Sequence, residues 1–207
     1  MNLEVLKIKN NQYLSSLGIE INQNLPLIED LREVQPRSAQ DVAGRLSAIA
    51  YIIGLAFGAN RIDLIDNLKK FKLWDYVSTY EKSLLQSDKI SEQDRINMEW
   101  LSESAQALAW SISIVELDHF KHCDDDLATK IPFNSDPTNF IASAHLRPIE
   151  EIQEQSDLLY RMHWYTRNCK LTDTNCVLST STIAERRKAI DWVYGVEEDW
   201  DEVPLDT

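Results

Sequence analysis

Three groups of residues in this chain have the types and spacing that chemistry can use. The densest is His119, His122 and Cys123, followed directly by Asp124, Asp125 and Asp126. Imidazole, thiolate and carboxylate all bind metals, but tetrahedral zinc sites generally draw their ligands from two separated elements. The second element would have to supply His145, Cys169 or Cys176. A solvated polar loop accounts for the same residues without an ion, and no cofactor is expected. The second group is Asp157, Arg161, His163 and Trp164. Asp157 and Arg161 stand one helical turn apart, close enough to pair. His163 follows Ile152, Leu159 and Tyr160 in helical phase, so it faces the core or a pocket beneath it. There it serves either as a hydrogen-bonded core group or as a general base. The third is Glu103, in phase with Trp100, Ala107 and Trp110. A carboxylate on an apolar face must pair with a cation or hydrogen-bond donors, or else stay protonated. Arg45, Arg161 and Arg186 are the available partners, and a structural ion pair and a ligand-binding carboxylate both remain open. There is no P-loop, GxGxxG, GxSxG or HExxH pattern, which counts against nucleotide hydrolysis, dinucleotide chemistry and the common hydrolases.

These groups must be positioned by helices. With 207 residues, 43% hydrophobic and 27% charged, the chain can bury a real core in a single helical domain spanning 1–207. Five Gly and six Pro mark few turns, which favours long helices over many short strands. The expected fold is mainly α, a bundle of about six to seven helices, with one or two short strands near 19–22 and 175–179. Leu3 to Leu17 carries the first helix and stops at Gly18. Ser38 with Asp41 opens the second, where Gly54 and Gly58 call for a closely packed neighbouring backbone. Ile62 to Phe71 is the third. Ser78 with Glu81 and Ser91 with Asp94 open the next two, the latter running to about Val115 and apolar on two faces. The sixth long pattern starts at Pro148 and continues to about Asn168. Thr182 with Glu185 caps the last helix, which Gly195 stops. Residues 116–146 lack sustained periodicity and read as an irregular insertion or lid. Residues 196–207 form an acidic tail that holds Trp200, and a tail with a Trp usually docks.

The order and spacing of several short patterns resemble a bacterial family of domains of unknown function, numbered 4272. They are Arg37-Ser38 with Asp41-Val42, Ser78 with Glu81 and Leu85, and Trp100-x-x-Glu103 with Leu108 and Trp110. In the second half follow Arg147, Glu151-Ile152, Asp157-Leu158-x-Tyr160-Arg161-x-His163-Trp164, Glu185-Arg186, Ala189-Ile190-x-Trp192, Trp200-Asp201-x-Val203 and Asp206-Thr207. Pro148 stands where the family tends to have Ser. The resemblance implies a mainly helical intracellular bacterial protein and supplies no activity. It places Glu103, Arg161, His163, Trp164, Glu185, Arg186 and Trp200 in the family pattern. With Trp110, Asp157 and Tyr160 added, these residues other than Trp200 make up a candidate pocket.

The formal net charge of -13 repels nucleic-acid phosphates and anionic membranes, so general nucleic-acid or membrane binding is not expected. Three cysteines without paired spacing fit a reducing compartment, and the first residues lack a secretory pattern, so the cytoplasm is the expected location. The longest uncharged run, Leu46 to Asn60, falls short of the ~20 residues that cross a bilayer. Acidity serves solubility, or it attracts a basic partner. The leading expectation is a protein-binding module, an inhibitor or immunity-type partner of a basic protein such as a nuclease toxin. Its contact residues would be Asp124, Asp125, Asp126, Glu197, Glu198, Asp199, Trp200 and Asp201. The alternative is an enzyme or small-ligand sensor with a pocket formed by Glu103, Arg161, His163 and Trp164.

Overall fold

Local sequence signals start and stop most of the helices in the computed structural model, which describes residues 2–207. Helix α1 (Leu3–Ser16) begins where the Asn2 side chain accepts the N–H groups of Glu4 and Val5. It ends in a left-handed Gly18, with the Ile19 N–H donating to the Leu14 carbonyl and Ile19 buried behind it. That closure satisfies carbonyls the helix leaves open, and it turns Ile19 into the core. Helix α2 (Ala39–Ala56) is capped by Ser38, and α3 (Arg61–Lys70) by Asn60. A 3-10 turn at Trp74–Tyr76 leads to α4 (Thr79–Gln86). Helices α4 and α5 (Glu92–Ser111) both open on full capping boxes, Ser78 with Glu81 and Ser91 with Asp94. Short helices α6 (Leu127–Lys130) and α7 (Thr138–Ala142) precede α8 (Ile149–Thr172) and α9 (Thr180–Tyr194), and a 3-10 turn at Trp200–Glu202 closes the chain.

The packing order runs α1, α8, α9, α5, α2, each against the next, with α3, the first 3-10 turn, α4 and α7 gathered around α2. The uncharged stretch of α2 therefore lies in the middle, with Leu46, Ile49 and Ile52 fully buried. Helix α5 is apolar on two faces because it is held between α2 and α9: Leu108 and Ala109 are both fully buried. Removing a side chain such as Leu108 to Ala would cost about 2–5 kcal/mol in lost transfer energy and cavity formation.

Several expectations change. No strand occurs among the described residues. Residues 19–22 are the exit from α1, with only Ile19 buried, and 175–179 holds a bend whose Val177 N–H reaches only the Tyr165 hydroxyl at 3.5 Å. Neither segment has a parallel or antiparallel neighbour to pair with. Nine α-helices are described rather than six to seven, the additional ones being α6 and α7 within 116–146. Helix α5 stops at Ser111 instead of Val115, because Ser113 takes a left-handed conformation and the Ile114 N–H returns to the Ala109 carbonyl. Helix α8 continues to Thr172, past Asn168. Helix α9 is capped by Ser179, not Thr182, since the Ser179 hydroxyl accepts the Thr182 N–H. Gly58 lies beyond α2 as its left-handed stop, and Gly54 faces the Phe133 ring rather than a backbone. Gly195 does meet a backbone: a Cβ there would lie 2.1 Å from the Gln35 carbonyl oxygen.

Candidate functional site

Most of the charged side chains singled out on the helices fall into three buried networks, and an open cleft lies beside the first of them. The first network joins α5, α9 and the segment between α5 and α6. Glu103 sits on the α5 face turned toward α9 and is 2% exposed; Arg186 on α9 is 1% exposed. Arg186 Nε donates to Glu103 Oε2 at 2.9 Å, Nη1 to the Asp118 carbonyl at 2.6 Å and Nη2 to the Lys121 carbonyl at 2.9 Å. Glu103 Oε1 accepts the Cys123 N–H at 3.1 Å and lies 3.1 Å from His122 Nδ1. Thr182, freed from capping, donates to Glu103 Oε1 at 3.5 Å. Nearby, Gln106 binds Asp124 twice and the Glu116 carbonyl once. Glu185 accepts from Ser104 at 2.8 Å, and burial raises its carboxyl above the usual range. One ion pair thus pins the backbone of 118–123 from both ends. A buried pair stands only when further hydrogen bonds satisfy its remaining donors and acceptors, and here the loop backbone supplies them.

The second network lies between α1 and α8. Arg161 grips Asp157 at 2.8 and 2.5 Å, and Asn10 of α1 donates to the same carboxylate at 2.7 Å. The third centres on Arg187, which bonds Asp191 at 3.1 Å, contacts His163 Nδ1 at 3.0 Å and donates to the Asp206 carbonyl at 2.7 Å. Its guanidinium lies 4.9 Å from the Tyr160 ring centre. Burial, then the Arg187 charge, lowers the His163 imidazole to about 4, so it is neutral at pH 7. Burial pushes Asp191 up to about 6 against the pull of Arg187. Glu103, Arg161 and His163 therefore each have a different partner: Arg186, Asp157 and Arg187. Trp164 is half-buried, and Trp110 packs under the Arg147 guanidinium at 4.8 Å.

The residues with metal-ligand chemistry spread apart. His119 is buried against Gln155 at 2.5 Å, and burial with the nearby Arg186 lowers it to about 3. His122 turns toward Glu103, whereas Cys123 lines a cleft. No group of three or more His, Cys, Asp and Glu gathers around a common point among the described residues. Of the tail, Trp200 is only 5% exposed, packed edge-on to Trp192 at 5.5 Å with the Arg45 guanidinium 4.2 Å over its ring. Asp201 accepts the Tyr80 N–H at the start of α4, where a negative charge is favoured by the helix dipole. Asp199 and Glu197 accept backbone N–H groups within the tail, while Glu198 is exposed.

The cleft is the feature that sequence reading misses. Ala50, Ile53 and Gly54 of α2, Ser102 and Ala105 of α5, and Leu127, Ala128, Ile131 and Phe133 enclose about 360 Å³. Cys123, Asp124 and Asp125 complete the lining. Small side chains on α2, α5 and α6 leave the space, and burial raises the Cys123 thiol. Asp124, Asp125 and Asp126 are all exposed, Asp126 pairing with Lys130. They follow directly on the segment 118–123 clasped by Glu103 and Arg186, and Gln106 holds Asp124.

Fold and site together define a mainly helical protein in which one buried ion pair braces the chain that leads into an open apolar cleft. Over residues 6–203 the chain matches the family described as Domain of unknown function (DUF4272), and it belongs to that family. The motif resemblance drawn from residues 37–207 thus extends across nearly the whole chain. No curated protein and no solved structure matches it significantly. No helix among the described residues is long and apolar enough to cross a membrane.

Proposed function

We propose that the chain is a binding module whose partner is a basic protein, as for an inhibitor or immunity-type protein acting on a basic toxin. The observation that supports this reading most is the exposed run Asp124-Asp125-Asp126 beside an open apolar cleft, directly after the backbone of 118–123 that the buried Glu103–Arg186 pair holds. Acidic groups at a rim speed encounter with a cationic surface, and an adjacent apolar hollow gives the contact a place to exclude water. The net charge of -13 acts in the same direction at longer range. The carboxylates and arginines that resemble catalytic groups are engaged with one another, which favours binding over turnover. Trp200 is not an anchor in this reading, since it is buried within the chain.

The test is affinity capture from the native host at moderate salt, with the wild-type chain beside a variant carrying Asp124→Asn, Asp125→Asn and Asp126→Asn. A basic protein retained by the wild type, released by salt and lost in the variant supports the proposal. A partner that is acidic, or that the variant holds equally well, overturns it.

A further inference from the structure

We infer that the cleft between α2, α5 and α6 is a binding site for a small amphipathic organic cation, an amine or ammonium group on an aromatic or aliphatic body. The inference stands on the cleft itself and does not need the basic-protein reading. At about 360 Å³ the space falls within the ~300–1,000 Å³ of ligand pockets. Its body is apolar on three sides: Ile53 and Ala50 from α2, Ala105 from α5, and Leu127 and Ile131 from the opposite wall. The space is built into the packing. Ala50, Gly54, Ser102, Ala105 and Ala128 all present small or absent side chains to it, and a Cβ on Gly54 would press to 3.3 Å from Phe133. Phe133 itself leans on Tyr51, ring centres 4.9 Å apart, and the Tyr51 hydroxyl accepts the Asn134 N–H at 3.1 Å. The aromatic edge of the cleft is thus fixed rather than free to collapse inward.

Charge at the rim selects the ligand's head group. Both charged residues in the lining, Asp124 and Asp125, are acidic, and no basic side chain lines the cleft. Asp124 is oriented by Gln106, whose amide N–H donates to it at 3.1 Å while Gln106 Oε1 accepts the Asp124 N–H at 3.2 Å. Asp125 is exposed, and its carboxylate has no ion-pair partner among the described residues. An anionic head group would meet two carboxylates. A cationic one would place its charge against them while its body displaces water from the apolar walls.

The experiment compares three probes with one skeleton: 4-phenylbutylamine, 4-phenylbutanol and 4-phenylbutyrate, titrated into the full chain at pH 7 and followed by amide chemical shifts. The amine is expected to bind tightest and the carboxylate weakest, with saturating shifts at Ala50, Ile53, Gly54, Ala105 and Ala128. It should also slow maleimide alkylation of Cys123 but not of Cys176, which does not line the cleft. Asp125→Asn should weaken the amine by about 3-fold and leave the alcohol unchanged, as fits one partly solvated charge pair. Ala128→Phe, at an exposed position of α6, and Ala50→Phe, on the α2 wall, should each abolish binding of all three. Circular dichroism identifies any variant that fails to fold, and Ala128→Phe keeps the test alive if Ala50→Phe does. Equal binding of carboxylate and amine, shifts confined to other surfaces, or no saturable shift with amine up to ~10 mM each overturns the inference.

Discussion

Two buried arginine–carboxylate pairs, one within α8 and one between α9 and α5, differ in what else the arginine holds. Arg161 closes on Asp157 one turn away in the same helix, with Asn10 sharing the carboxylate. Arg186 closes on Glu103 of a different helix and also takes the carbonyls of Asp118 and Lys121, while Glu103 takes the Cys123 N–H. The first pair neutralises charge within α8 and ties on α1. The second is a joint between two helices and a length of irregular chain. A guanidinium offers five donors in a fixed plane, so it can serve as such a joint where an ammonium cannot. The lesson is that the worth of a buried ion pair depends on the backbone it organises as much as on its charges.

The largest expected effect is Arg186→Met. It leaves Glu103 buried without its counter-charge and two carbonyls without their donor, so urea unfolding should show a loss of about 3–5 kcal/mol. Hydrogen exchange should speed up across residues 116–126 well beyond the rest of the chain. Arg161→Met should cost about 3 kcal/mol on the same grounds and leave exchange at 116–126 unchanged. Equal exchange behaviour in the two variants would erase the distinction between joint and local pair.

Paired replacements sharpen it. Asp157→Leu with Arg161→Met removes both charges together, and with the desolvation cost gone and the Asn10 amide still donating to the Glu154 carbonyl the double variant should stay within about 1 kcal/mol of wild type. Glu103→Leu with Arg186→Met gains the same relief but leaves the Cys123 N–H and the Asp118 and Lys121 carbonyls to find new partners. It should therefore remain about 2 kcal/mol less stable than the other double variant. Equal stabilities would show that the loop backbone draws nothing from the pair.

Acid provides a third comparison, between His119 beside the joint and His163 beside Arg187. Both imidazoles are lowered by burial, to about 3 and about 4 from 6.5. On unfolding below pH 6.5 each takes up a proton that the folded state refuses, so the unfolded state binds more protons and stability falls as pH drops through that window. Asp191, raised to about 6 from 3.8, works in the opposite direction: between those values the folded state binds more protons, and stability falls as pH rises. Replacing His119 with Gln should remove close to one proton from the balance between pH 4 and 6. The wild-type and variant stability slopes should then differ by about 1.4 kcal/mol per pH unit. Parallel slopes would mean that His119 titrates in the folded chain much as it does in the unfolded one.

Local signals were the legible ones. Ser78 with Glu81, Ser91 with Asp94, the stops at Gly18 and Gly195 and the one-turn pair Asp157–Arg161 all depend on residues close in sequence, and each appears in the fold. Glu103 announced that it needed a partner, but the choice of Arg186 over Arg45 or Arg161 is made by the packing of α5 on α9. Arg45 instead forks onto Glu81. Thr182 and Glu185 imitate a capping box, yet one faces Glu103 and the other bonds Ser104, so the true cap lies three residues earlier at Ser179. The end of α5 was hidden because Ser113, not a glycine, takes the left-handed position. The cleft had no sequence mark at all. Its small residues are scattered over residues 50–128 and become neighbours only when α2, α5 and α6 pack.

The smallest effect belongs to His122, an exposed side chain that also reaches Glu103. It sits 3.1 Å from Oε1, as close as the Cys123 N–H, but its side chain is 68% exposed while Arg186 is sealed. Water can replace an exposed imidazole at little cost, whereas nothing replaces a buried guanidinium. His122→Ala should therefore change stability by no more than about 0.5 kcal/mol and leave hydrogen exchange at 116–121 as in the wild type. A loss of several times that size would move the joint from Arg186 to the Glu103–His122 contact. It would also make that contact, rather than the ion pair, the group that holds the backbone leading into Asp124 and Asp125.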